Sequence, residues 1–200
     1  MSASTATRPG ERSETNVCPG LGPAVEVVEM KGDVGKEARR DAERLLRITG
    51  NVGVAVEPVG IARRLGVQVF KAALKKESLG GLLMMPGKDP EIVLNQDDGL
   101  IRRRMTCAYE LGHYVLWSAR TNEYARVDLR EPKPASEETW EESYAKGFAA
   151  CLLMPEVLVK TLYELGMDDL EMAVWLVVSR EAIQVRLDDL GLSVIDLWAA

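Results

Sequence analysis

Apolar residues recur along most of the chain at helical spacing, and one short stretch alternates instead. From Lys36 to Ile48 the apolar positions include Ala38, Ala42, Leu45 and Leu46, one stripe on an otherwise charged helix. Thr49-Gly50-Asn51 stops it. Pro58 opens a second, short helix with Ile61, Ala62 and Leu65 inward, and Gly66 closes it as a C-cap. The period then changes. Val67 to Phe70 alternates as a strand does, and the apolar runs Leu79 to Met85 and Ile92 to Leu94 flank the turn signal Pro86-Gly87-Lys88-Asp89-Pro90. These segments predict a small antiparallel sheet of about three strands.

Helical spacing returns after the sheet. Asp97 or Asp98 is placed to cap a long amphipathic helix running to about Ser118, with Ile101, Met105, Ala108, Gly112 and Val115 on one face. Residues 119–138 read as a polar loop with two prolines, of a length that is usually functional or disordered. A helix from Thr139 to Met154 follows, with Ala145, Phe148, Ala149 and Leu152 inward, and Pro155 interrupts it and starts the next. Three further helical segments lie near 156–165, 168–178 and 179–190, the last with Ser179 as its N-cap. The fold class is α+β, a small sheet beside a dominant helical bundle. Residues 1–35 hold too few spaced apolar groups to offset the entropy of ordering and read as a flexible tail. The folded domain is expected over 36–200, with helices 156–192 packed on it.

Composition narrows the function. The 200 residues carry 25 Lys plus Arg against 31 Asp plus Glu, a net charge of -6, with 46% hydrophobic residues, which is one domain's worth. An acidic balance argues against wrapping nucleic acid or lying on an anionic membrane. No apolar stretch approaches the roughly eighteen residues of a membrane span. The N-terminus lacks the apolar core of a secretory signal, and Cys18, Cys107 and Cys151 show no CxxC spacing, so a reducing cytoplasm is expected. The single histidine, His113, excludes any mechanism that needs two imidazoles from one chain.

That histidine ends the segment Tyr109-Glu110-Leu111-Gly112-His113. An H-E-x-x-H helix places two imidazoles about 40° apart, so both reach one zinc while the Glu polarises the metal-bound water. Here the second half of that motif stands and the first ligand is a phenol. Downstream, Glu142 begins the run Glu142-Ser143-Tyr144-Ala145-Lys146-Gly147-Phe148-Ala149-Ala150-Cys151-Leu152-Leu153-Met154-Pro155, which offers a carboxylate on the inward stripe of the next helix. Together the two segments resemble the ImmA/IrrE family of zincin-like metallopeptidases, in which an AHELGH-type helix precedes an E-x-x-A-x-x-F-A-x-x-LLMP helix. Residues 58–67, 92–98 and 178–192 resemble further parts of the family pattern, so the likeness covers roughly 36–192. It implies a zincin-like fold, Glu110 as general base, His113 and Glu142 as zinc ligands and Tyr109 at the first-ligand position. It also implies a helix-turn-helix repressor of phage, mobile-element or stress-response genes as the protein acted upon.

Tyr109 is the departure. Ionising a phenol of ordinary pKa near 10 at neutral pH costs roughly 4 kcal/mol before any help from the metal. Zinc, the implied cofactor, is therefore expected to be weakly held or absent, with the chain binding a repressor without cutting it. The alternative is an active zinc endopeptidase. Cys107 and Cys151 lie about 200° and 180° around their helices from Tyr109 and Glu142, so neither thiol is aimed at the site. A residue of the 119–138 loop, such as Asp128, remains open as a substitute ligand. Leu82 and Leu83, beside Gly80-Gly81, are candidate substrate-binding residues at the cleft edge. Gly112 is expected to let the Glu142 helix approach closely. Arg102 to Arg104 read as a solvated basic face with ion pairs. The segment Ser179 to Leu187 has the outline of a DNA-recognition helix carrying Arg180 and Arg186, but Asp188 and Asp189 oppose that use. Helices closing the core are expected there instead, without direct nucleic-acid binding. Oligomeric state stays open.

Overall fold

The computed structural model describes residues 33–50, 55–74, 80–84, 89–120 and 139–193. Most of the expected tail and nearly all of the 119–138 loop lie outside these residues. Seven helices and three strands are found among them: α1 Asp33–Thr49, α2 Pro58–Arg64, β1 Gln68–Ala72, β2 Gly81–Met84, β3 Glu91–Asn95, α3 Leu100–Arg120, α4 Trp140–Leu153, α5 Glu156–Glu164, α6 Asp169–Leu176 and α7 Arg180–Asp189. The architecture is α+β. None of these helices is long and apolar enough to cross a membrane.

Local chemistry accounts for the helix ends. Pro58 sits in the first turn of α2, where a missing N–H costs nothing, and Gly66 follows with φ +80°, a conformation that favours glycine. Thr139 and Glu142 form a capping box at α4, and Asp168 and Glu171 form another at α6. The Ser179 hydroxyl accepts from the Ala182 amide at 3.2 Å to start α7. α1 begins at Asp33, a turn earlier than its apolar stripe suggests.

The sheet corrects the expected strand directions. Its order is β1-β3-β2, and β1 runs parallel to β3 while β2 runs antiparallel to it, so the sheet is mixed. Alternation marks a strand without saying which way it runs, and only the hairpin signal between β2 and β3 carried direction.

α3 is the central element, bordered by α2, α4, β2 and β3. Its buried side is accordingly wider than the predicted stripe. Met105, Ala108 and Gly112 are buried as expected, Ile101 is exposed, and Arg104, Cys107, Leu111, His113 and Leu116 are buried as well. α4 lies between α1 and α3. Tyr144, Phe148, Leu152 and Leu153 are fully enclosed, each apolar side chain of that size contributing about 1.5–3 kcal/mol of burial.

Arg104 is not a surface charge. Its guanidinium is buried against the start of α2 and the turn between α6 and α7, donating to the carbonyls of Val56 at 2.6 Å, Val177 at 3.1 Å and Leu176 at 3.5 Å, and to Glu57. Arg102 pairs with Asp98 at 3.1 Å, and Arg103 donates to the carbonyls of Gln96 and Asp98. The basic run is thus held by backbone carbonyls and two carboxylates, not left as a solvated face.

Candidate metal centre

Tyr109, Glu110 and His113 lie within one turn and a half of α3. His113 is fully buried, Glu110 nearly so, and Tyr109 half-buried. The Tyr109 and His113 rings meet edge to face, centroids 4.7 Å apart at 87°. One turn on, Trp117 lies 5.8 Å from the imidazole at 35°. Spacing of i and i+4 brings such side chains together on a helix, so the lone imidazole sits between two aromatic rings. The sequence reading missed Trp117 as part of this group, although its i+4 spacing from His113 was in view.

Gly112 sets the distance to α4. A Cβ there would lie 3.1 Å from both Ala145 Cα and Phe148 Cδ1, so only glycine admits this approach without displacement, as the sequence suggested. Glu142 is one turn before Ala145. Its carboxylate, however, turns back to its own helix: Oε2 accepts from the Thr139 amide at 2.9 Å while the Glu142 amide donates to Thr139 Oγ1 at 3.3 Å. The residue expected as third ligand is therefore occupied as a cap.

Both described thiols are buried. Burial first, and then the charges of Glu110 and Glu57, push Cys107 up to about 12; burial likewise raises Cys151. Neither is a ready thiolate at neutral pH. Among the described residues no three His, Cys, Asp or Glu side chains converge so as to hold a metal ion. Among the described residues the donors near this turn of α3 are one imidazole, one phenol and the Glu110 carboxylate, with Glu142 capping its own helix.

A family model for the IrrE N-terminal-like domain matches residues 62–188, from α2 into α7. The chain belongs to this peptidase family. Comparison with curated proteins gives no match. The family is typically one of zinc metallopeptidases, and the match includes the stretch of α3 that carries Tyr109, Glu110 and His113.

The remaining candidates fall into place around this helix. Leu83 belongs to the core, while Leu82, on the opposite face of β2, is just buried and outside that core. A Cβ on Gly81 would stand 2.6 Å from Thr106 Cγ2 and 2.9 Å from the Val93 carbonyl, which presses β2 onto α3. At the C-terminal end, Arg186 is fully buried and donates from Nε to the Met154 carbonyl at 3.1 Å. Arg180 pairs with Asp169 at 2.8 Å. α7 thus closes the core behind α4.

Proposed function

We propose that this IrrE-like chain is a binding member of a peptidase family: it engages a helix-turn-helix repressor at the α3 site that carries Tyr109, with zinc affinity and hydrolysis lost or greatly weakened. The observation that carries the reading is Tyr109, whose ring packs edge-on against the only imidazole in the chain. Metal binding would have to offset phenol ionisation, roughly 4 kcal/mol, and the release of Glu142 from its cap, about 1 kcal/mol. Losing one of three ligands removes much of the free energy that metal binding supplies.

The test is zinc content and affinity of the purified protein, by elemental analysis and competitive titration, with Tyr109→His as comparator. Native protein low in zinc beside a variant that binds it tightly supports the proposal. Retained Glu110 and His113 favour a second reading, an active endopeptidase. Stoichiometric, tight zinc in the native chain, with repressor cleavage abolished by Glu110→Gln, would establish that reading instead.

A further inference from the structure

The chain's net charge of -6 is unevenly spread. From Pro58 to Lys76 the sequence carries five cations, Arg63, Arg64, Lys71, Lys75 and Lys76, and no carboxylate. α2 and β1 fall inside this stretch. At their junction lies an open cleft of about 280 Å³, lined by Arg63, Gly66, Val67, Gln68, Val69 and Phe70. Successive residues of a strand point to opposite faces, so a cleft lined by Gln68, Val69 and Phe70 in a row opens on the edge of β1 and not on one face of the sheet.

That edge carries no strand among the described residues. β1 stands at the end of the order β1-β3-β2 and pairs in parallel with β3, from Gln68↔Glu91 to Ala72↔Asn95. The Gln68 amide donates to the Pro90 carbonyl and the Gln96 amide to the Ala72 carbonyl, both at 2.9 Å. Residues of a parallel ladder alternate in the side they address, so Gln68, Phe70 and Ala72 address β3, while Val69 and Lys71 turn their N–H and C=O groups to the open edge. Phe70 is 45% exposed, and Gln68 and Lys71 are exposed as well. Arg64 is tied to the Thr49 carbonyl, whereas Arg63 and Lys71 form no ion pair among the described residues.

We propose that this edge accepts an extended acidic segment of a partner protein as a fourth strand, its backbone paired with Val69 and Lys71 and its carboxylates meeting Arg63 and Lys71. Strand addition draws its affinity from main-chain hydrogen bonds and its selectivity from the side chains beside the edge. Here the cations decide the occupant. A second copy of the same edge would set like charges against each other, which is how an edge lysine discourages self-pairing. A single-stranded nucleic acid has the right sign but no peptide backbone to continue the ladder. The edge is separate from the α3 site: β2, the strand pressed onto Thr106, lies two inter-strand spacings of about 4.8 Å away. Docking here stands whether or not the α3 site holds metal.

Fluorescence anisotropy with the full chain and a labelled VEVEVEV peptide tests the proposal, with a Gln-for-Glu peptide as control. The expected result is saturable binding, weakened about tenfold or more by Arg63→Glu/Lys71→Glu and weaker for the Gln peptide. Lys71→Pro removes one outward N–H and leaves the β3 ladder whole, so it weakens binding further than Lys71→Gln does. Saturation with peptide slows hydrogen exchange at the Val69 and Lys71 amides about tenfold or more. Arg44→Glu, at an exposed position on α1, leaves binding unchanged. Failure of the native chain to bind, equal binding by the Arg63→Glu/Lys71→Glu chain or of the Gln peptide, or unchanged exchange at Val69 and Lys71 overturns it. So do a single-stranded oligonucleotide that binds more tightly than the peptide at the same salt, and a dimer in sedimentation that Lys71→Pro abolishes. Peptide binding that emerges only in a chain lacking residues 1–32 also overturns it, by assigning the edge to the chain's own residues 25–30, which carry Glu26 and Glu29.

Discussion

Two aromatic ladders run through adjacent helices at the same i, i+4, i+8 spacing, and they differ in what surrounds them. On α4, Trp140, Tyr144 and Phe148 stack with centroids 5.7 and 6.1 Å apart and planes within 22°. On α3, Tyr109, His113 and Trp117 meet at 87° and 35°. The α4 ladder is enclosed by α1 and α3, and its one deeply buried polar atom is satisfied, the Tyr144 hydroxyl donating to Asp41 Oδ2 at 3.0 Å. The α3 ladder has a titratable ring at its centre, a half-buried phenol on one side and Glu110 beside it. Equal spacing therefore yields, on α4, a ladder whose second and third rings are fully enclosed, and, on α3, one whose buried middle ring carries nitrogen and whose two end rings are both partly exposed.

The comparison breaks first at Phe148. Phe148→Ala is expected to cost about 3–5 kcal/mol in urea denaturation, because no neighbouring helix is free to collapse into the space. Gly112→Ala strains both ladders by pushing Phe148 and Ala145 away, at about 1–3 kcal/mol by the same measurement. An effect within a few tenths of a kcal/mol would show that α3 and α4 are not in near-backbone contact.

Tyr144→Phe is milder, about 1 kcal/mol, since it removes one hydrogen bond to a partly solvated carboxylate. Alkaline titration sharpens the distinction. Burial, and then the Asp41 charge, hold the Tyr144 phenol well above its ordinary value of about 10. Its contribution to stability is fully present below pH 10 and is lost as pH rises through the folded value, because the unfolded state ionises first. Stability should thus fall above pH 10, and Tyr144→Phe should remove part of that slope. Absorbance at 295 nm should show a tyrosine still protonated well above pH 10 that is missing from Tyr144→Phe. The smallest effect on stability belongs to Tyr109→His, about 1 kcal/mol or less, although this change is expected to have the largest effect on metal affinity.

Features written in short stretches of sequence were legible in advance. Pro58 and Gly66 bracket α2, Ser179 starts α7, and Gly112 marks the α3–α4 approach, because each depends on backbone conformation or on the size of one residue. Thr139-x-x-Glu142 is itself a capping-box signature, which the expectation of Glu142 as a zinc ligand overlooked, and the structure displays this local use. Features that depend on distant segments were hidden. Arg104 follows two other arginines, and nothing nearby announces acceptors at Val56, Leu176 and Val177. The parallel pairing of β1 with β3 was hidden for the same reason.

Arg104 also bears on how the chain is made. Its acceptor at Val177 is synthesised 73 residues after it, several seconds later at roughly 5–20 residues per second. Until then the Arg104 guanidinium lacks the Leu176 and Val177 carbonyls. α3 is thus completed from the far end of the chain, and a nascent or clipped product lacking α6 and α7 would present a buried cation with part of its acceptor set missing.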